Sequence, residues 1–183
     1  NPQSKKDYSS LNNLFKFVNQ FKIKGFEFRI PDGIVFINGL PLVVFEFKSA
    51  IKTNTTIFNA YEQLTVRYAR DIPELFKYNA FIVISDGVNN KYGTLFTEYE
   101  FFYSWKKINR EDNEYEGIDS ALSLVKGMFN KSRLLKIIND FIYFPDNTNS
   151  DKKIICRYPQ YYAVTKLHDN ILKNIKPKGE GKG

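Results

Sequence analysis

Two short apolar runs, Gly33-Ile-Val-Phe-Ile37 and Leu42-Val-Val-Phe-Glu-Phe-Lys48, stand on either side of Asn38-Gly39-Leu40-Pro41. Both are rich in β-branched and aromatic residues and too short for helices. Asn-Gly tolerates the positive φ that a tight hairpin demands. The pair therefore predicts an antiparallel hairpin, and little else in the chain constrains the fold as strongly.

The second strand carries two charges where an apolar strand has no use for them. Side chains alternate faces, so Glu46 and Lys48 share one face with Val44, while Phe45 and Phe47 point to the other. A charge pair at the end of an apolar strand is either a wet salt bridge or the rim of an active centre. The first strand is preceded by Asp32, and its position depends on the turn. A three-residue loop (38–40) pairs residue 37 with 41 and sets Asp32 opposite Glu46. A two- or four-residue loop puts Asp32 on the other face, unless a bulge intervenes.

Two opposed carboxylates repel unless a cation lies between them. Oxygen ligands with a lysine and no histidine suit Mg²⁺ or Mn²⁺ rather than zinc. Such an ion activates water and polarises phosphodiesters, and a nearby lysine stabilises developing charge. The Asp-x13-Glu-x-Lys spacing is weak by itself; the hairpin, the apolar strand and the helix that follows give it weight.

Composition agrees. The chain of 183 residues is 43% hydrophobic, with 17 Phe and 12 Tyr, which predicts a packed aromatic core. A net charge of +7 makes polyanions, nucleic acid or an anionic membrane, candidate partners. Cys156 is the sole cysteine and His168 the sole histidine, so an internal disulfide and a cysteine zinc cluster are excluded, and the single histidine argues against a His-rich metal site or a histidine-based triad. A reducing compartment, the cytoplasm, is expected, and no stretch is apolar enough to span a membrane. Position 1 is not Met, which points to a fragment or a processed product.

Periodicity gives the remaining elements. Residues 8–18 have helical spacing, although Phe15, Phe17 and Phe21 also alternate. Residues 21–29 alternate as strand, with a turn or bulge at Gly25. Residues 55–70 form one helix face through Ile57, Tyr61, Leu64 and Tyr68. Residues 79–85 read as a buried strand, and 118–127, 130–143 and 159–175 as helices. Asn109 to Gly117 reads as an exposed loop, and Asn147 to Lys153 as a domain boundary. The fold class is α/β, a mixed sheet flanked by helices.

The stretch PDGIVFINGLPLVVFEFKSA (31–50) resembles the signature of the PD-(D/E)xK nucleases, in the form found in the R (HsdR) subunits of type I restriction enzymes. The likeness runs on through 61–87, 126–144 and 157–166. It implies a restriction-endonuclease-like fold. It also implies a Mg²⁺-dependent endonuclease domain over 1–146, with a linker and the start of a helicase-like motor over 147–183. By the same resemblance Asp32 and Glu46 ligate Mg²⁺, the backbone carbonyl of Phe47 is a third ligand, and Lys48 is the catalytic lysine. The family also carries Gln and Tyr on the following helix, here Gln63 and Tyr68. The usual spacing is four; here it is five, which on a straight α-helix turns Tyr68 away from Gln63. Some nucleases of this fold add an acidic ligand from a preceding helix, and residues 8–18 offer none. Gln160 resembles the adenine-contacting glutamine that precedes such motors, so ATP belongs to the full-length subunit; no phosphate-loop motif occurs here. Double-stranded DNA and the methylation (M) and specificity (S) subunits are the implied partners. The alternative reading is a catalytically inactive DNA-binding or docking module of the same fold.

Weaker candidates for DNA contact are Asn89, Asn90 and Lys91, and a basic helix face of Lys126, Lys131, Arg133 and Lys136. Trp105 is expected in the core.

Overall fold

The computed structural model describes residues 12–49, 56–145 and 152–175. Its centre is a five-stranded mixed sheet. The strands are β1 (Phe15–Asn19), β4 (Gly33–Ile37), β5 (Leu40–Phe47), β6 (Phe81–Ser85) and β7 (Asn90–Gly93), in that spatial order. Only the β5–β6 pair is parallel, and the helix between them, α1 (57–71), makes the crossover. A small hairpin, β2 (Ile23–Lys24) with β3 (Phe28–Arg29), lies between β1 and β4 in sequence. A second, β8 (Ile142–Tyr143) with β9 (Ile154–Ile155), joins α3 (Lys131–Asp140) to α4 (Tyr158–Asn174).

Alternation along the strands splits the core in two. Ile34, Val44, Ile82 and Ile84 face α1, where Ile57, Ala60, Leu64, Tyr68 and Ile72 cover them. Val35, Val43, Phe45, Phe81 and Val83 face the opposite layer, built from Trp105, α2 (120–128), α3 and the first turn of α4. Both faces of the central strands are therefore apolar, and β6 is buried throughout. Trp105 is in the core, as expected. Cys156 packs against it as apolar filler, and burial pushes its thiol up to about 12. Tyr161 and Tyr162 of α4 pack on the same core; the expected boundary falls largely on 146–151, outside the described residues.

The turn between β4 and β5 resolves the register. Ile37 pairs with Leu40 and Phe36 with Pro41, so the loop is the two residues Asn38 and Gly39. Both have positive φ (53° and 85°), as the tight primed turn requires. Further along, Val35 pairs with Val43 and Gly33 with Phe45. Leu42 is the extra residue, a bulge that restores the register a three-residue loop would give. Pro41, which has no N–H to donate, sits beside it. The freed Leu42 carbonyl accepts from Ala80 N at 2.7 Å, tying the bulge to the entry of β6.

Gly39 is the position where this turn is most sensitive. Gly39→Ala is expected to cost about 1–2 kcal/mol, since an L side chain resists the left-handed region. Urea unfolding checks this, and an unchanged midpoint would contradict it.

Two expectations need correction. The helix read over 8–18 fails for its described part, because Phe15–Asn19 is strand β1; the Phe15/Phe17 alternation was the true signal, and residues 8–11 lie outside the described residues. The break expected at Gly25 in the 21–29 strand is present: the chain turns there between β2 and β3. Strand β7 was missed, since Asn-Lys-Tyr-Gly has no run of β-branched residues.

Candidate active site

The restored register, continued by one residue, sets Asp32 across from Glu46 on the face of Ile34 and Val44. That face looks at α1. Glu46 is only 3% exposed. Its Oε1 accepts from Lys48 Nζ at 2.7 Å, and the same ammonium donates to Gln63 Oε1 at 2.7 Å. Gln63 Nε2 donates to the Tyr68 hydroxyl at 2.7 Å, and that hydroxyl donates to the Ile30 carbonyl at 3.2 Å. The chain thus returns to within two residues of Asp32. Four expected side chains, Glu46, Lys48, Gln63 and Tyr68, form one hydrogen-bonded line.

Asp32 is fixed from two sides. Oδ2 accepts from Phe47 N at 2.8 Å, and Oδ1 accepts from Gln20 Nε2 at 3.1 Å. Its charge bears on Glu46. Burial pushes the Glu46 carboxyl up to about 7 against the hydrogen bond from Lys48, and the Asp32 charge adds to the rise. Burial also raises the Tyr68 hydroxyl, with Glu46 and Asp32 contributing. Among the described residues two buried side-chain atoms have no hydrogen-bond partner, Asn79 Oδ1 and, in this site, Glu46 Oε2. A buried, unpartnered carboxylate oxygen is costly unless something else satisfies it. A hard divalent cation held with Asp32 fits that need.

Tyr68 corrects the expectation of a straight helix. Residues Gln63–Tyr68 are π-helical, set between α-helical Ile57–Glu62 and Ala69–Asp71. A π-turn closes on the fifth residue rather than the fourth, so it absorbs the extra residue and keeps Gln63 and Tyr68 in contact. Deleting the exposed Val66 is therefore expected to convert the π-turn to α while preserving that contact. The deletion variant should retain cooperative melting and the Gln63–Tyr68 pairing; collapse of the fold would contradict the π-turn account.

Neighbouring structure braces the site. Lys48 N donates to Ser85 O at 2.7 Å, extending the β5–β6 ladder to the lysine itself. Arg29 Nε reaches Asp71 Oδ2 at 2.7 Å, linking the strand before Asp32 to the end of α1. The guanidiniums of Arg70 and Arg29 hold the Asp71 carboxyl below the usual range. Gly25 is required at that junction, because a Cβ there would lie 2.3 Å from the Asp71 carbonyl oxygen.

The other candidates separate from this cluster. Gln160 lies in the first turn of α4, where its Oε1 caps Arg157 N at 2.8 Å. It also lines a cavity of about 390 Å³ with Phe96, Phe101, Tyr103 and Arg157. Asn90 is buried and spent on Ser85 and Ser120, so it holds the 86–89 loop rather than reaching outward. Arg133 donates to the Gly127 carbonyl and stacks over Tyr161 and Tyr162, which makes it a packing residue. Gln20 was missed entirely, because its contact with Asp32 depends on pairing between distant segments.

Residues 5–101 match the family model described as type I restriction enzyme R protein N terminus. The chain belongs to this family. The HindI type I restriction enzyme endonuclease subunit of Haemophilus influenzae is 36% identical over 175 residues, covering 92% of this chain and 16% of that protein. The MjaIXP protein of Methanocaldococcus jannaschii, provisionally named as a subunit of the same kind, is 33% identical over 190 residues, covering 92% of this chain and 18% of its own length. The EcoprrI endonuclease subunit of Escherichia coli is 28% identical over 175 residues, covering 91% of this chain and 51% of its own. The chain thus spans about one sixth of the length of the first two relatives. Membership makes it the N-terminal region of a type I restriction enzyme R protein. No helix among the described residues is long and apolar enough to cross a membrane.

Proposed function

We propose that this chain is a Mg²⁺-dependent endonuclease domain with a restriction-endonuclease-like fold, hydrolysing phosphodiester bonds of duplex DNA. Asp32 and Glu46 hold the ion, with the backbone carbonyl of Phe47 as a further ligand. The observation that carries the reading is the buried Glu46 Oε2 without a partner, on the same face as Asp32 and Lys48. The bound ion would polarise the scissile phosphate and lower the pKa of water.

The chain's own groups do the rest. The Lys48 ammonium has three N–H donors, of which Glu46 and Gln63 take two. The third is available to orient the attacking water or a phosphate oxygen. Gln63 holds the lysine and Tyr68 holds Gln63, so the ammonium is positioned before substrate arrives. The relatives are named as endonuclease subunits, which agrees with this chemistry. Sequence recognition would come from the specificity subunit, alongside the methylation subunit. ATP would act only in the full-length subunit, with Gln160 at the adenine.

Calorimetric Mg²⁺ titration of the full-length protein on duplex DNA tests the reading. Wild type is expected to bind the ion and Asp32→Asn to lose it. Equal binding by both, or none by wild type, would instead favour an inactive docking module.

A further inference from the structure

Gln20 follows the last residue of β1, at the point where the β1–β4 ladder reaches Asp32. Asn19 pairs with Gly33, and Gln20 N then donates to the Asp32 carbonyl at 3.3 Å. The backbone here is left-handed, with φ 51°. Apart from Asn38 in the hairpin turn, Gln20 is the only non-glycine residue with positive φ among those described. Such a residue carries strain on the order of 1 kcal/mol that the surroundings must sustain. An exposed glutamine also gives up rotamer freedom when its amide is held in one place. The left-handed turn and the ordered amide share one outcome: Gln20 Nε2 is delivered to Asp32 Oδ1 at 3.1 Å.

We infer that Gln20 is a positioning residue that fixes the Asp32 carboxylate for cation binding; this rests on the metal-site reading above. Phe47 N grips one carboxylate oxygen at 2.8 Å and Gln20 grips the other. Together they remove the rotation that one hydrogen bond would leave. Each carboxylate oxygen can accept two hydrogen bonds and here takes one, so each retains a lone pair for a cation. The chemistry of the donor matters as well. A lysine in this place would neutralise Asp32 and compete with the ion, and a glutamate would repel the aspartate. A neutral amide orients the carboxylate without doing either.

The test separates side chain from backbone. Asparagine accepts the left-handed conformation more readily than glutamine, but is one methylene shorter and falls short of Asp32. Mn²⁺ binding is followed by electron paramagnetic resonance on the full-length protein bound to duplex DNA, without nucleoside triphosphate to compete for the ion. Gln20→Asn is expected to weaken Mn²⁺ binding about tenfold or more, as loss of a group orienting a metal ligand does. Its melting temperature should equal or exceed that of wild type. In an Asp32→Asn background, where no ion binding remains to lose, the same substitution should not lower the melting temperature.

Mn²⁺ affinity equal to wild type in Gln20→Asn, with binding lost in Asp32→Asn, overturns the role of Gln20 and leaves the metal site standing. So does a loss of affinity accompanied by a lowered melting temperature that recurs when Gln20→Asn is made in the Asp32→Asn background, since that marks a structural residue. Wild-type protein without Asp32-dependent Mn²⁺ binding overturns both readings.

Discussion

Lys48→Met in the full-length protein is expected to fold normally and to lose DNA cutting by at least about a hundredfold, the usual effect of deleting a preorganised donor to developing charge. Methionine keeps most of the apolar stem, so packing against α1 survives. Two consequences follow from the geometry. Gln63 Oε1 and Glu46 Oε1 both lose their donor. Glu46 also loses the one hydrogen bond that pulls its carboxyl down, so its protonation extends to still higher pH. Any residual cutting should therefore show an acidic limb displaced upward relative to wild type. A pH profile of cleavage reads both effects. Full cutting by this variant would remove Lys48 from the site.

Glu46→Gln is expected to abolish cation binding and, without metal, to make the protein more stable at pH 8. The sign follows from burial. The folded carboxyl titrates at about 7, above its ordinary value of 4.5. The folded state therefore holds the proton more tightly than the unfolded state. The contribution of Glu46 to stability is fully present below pH 4.5 and is lost as pH rises to 7. At pH 8 the ionised, buried carboxylate costs on the order of 3 kcal/mol. Glutamine avoids that cost, though Lys48 then loses a counter-charge, so a net gain of about 1–2 kcal/mol, or roughly 3–6 °C in melting temperature, is expected. The gain should vanish near pH 5. Saturating Mg²⁺ should stabilise wild type and leave the variant unmoved. Thermal melts across pH, with and without Mg²⁺, check each part; a variant less stable than wild type at pH 8 would contradict the burial argument.

The sheet and the site were legible to different depths. Glu46 and Lys48 share a face by strand alternation alone, and the helix from 57 was plain in its apolar spacing. The partner register was not, because two features compensate. The Asn38–Gly39 turn is one residue shorter than a direct register requires, and the Leu42 bulge adds the residue back. Pro41 was a visible sign of an interrupted ladder, but nothing local says which carbonyl will be freed.

The Gln63–Tyr68 spacing failed in the same way. Counting at α-helical pitch turns Tyr68 away, whereas a π-turn keeps it, and side-chain chemistry does not announce a π-turn. In both places an inserted residue is absorbed by the backbone, so positions rather than spacings are preserved. Gln20 lay beyond sequence reasoning because only the β1–β4 pairing brings it to Asp32.

The central claim is that Asp32 and Glu46 hold the ion with which Lys48 cuts DNA. The most direct measurement is conversion of supercoiled circular DNA to linear product by the assembled complex in saturating Mg²⁺, comparing wild type with Asp32→Asn. The account predicts linear DNA from wild type and none from the variant, with folding and DNA binding intact in both. Linear product at the wild-type rate from Asp32→Asn would contradict it.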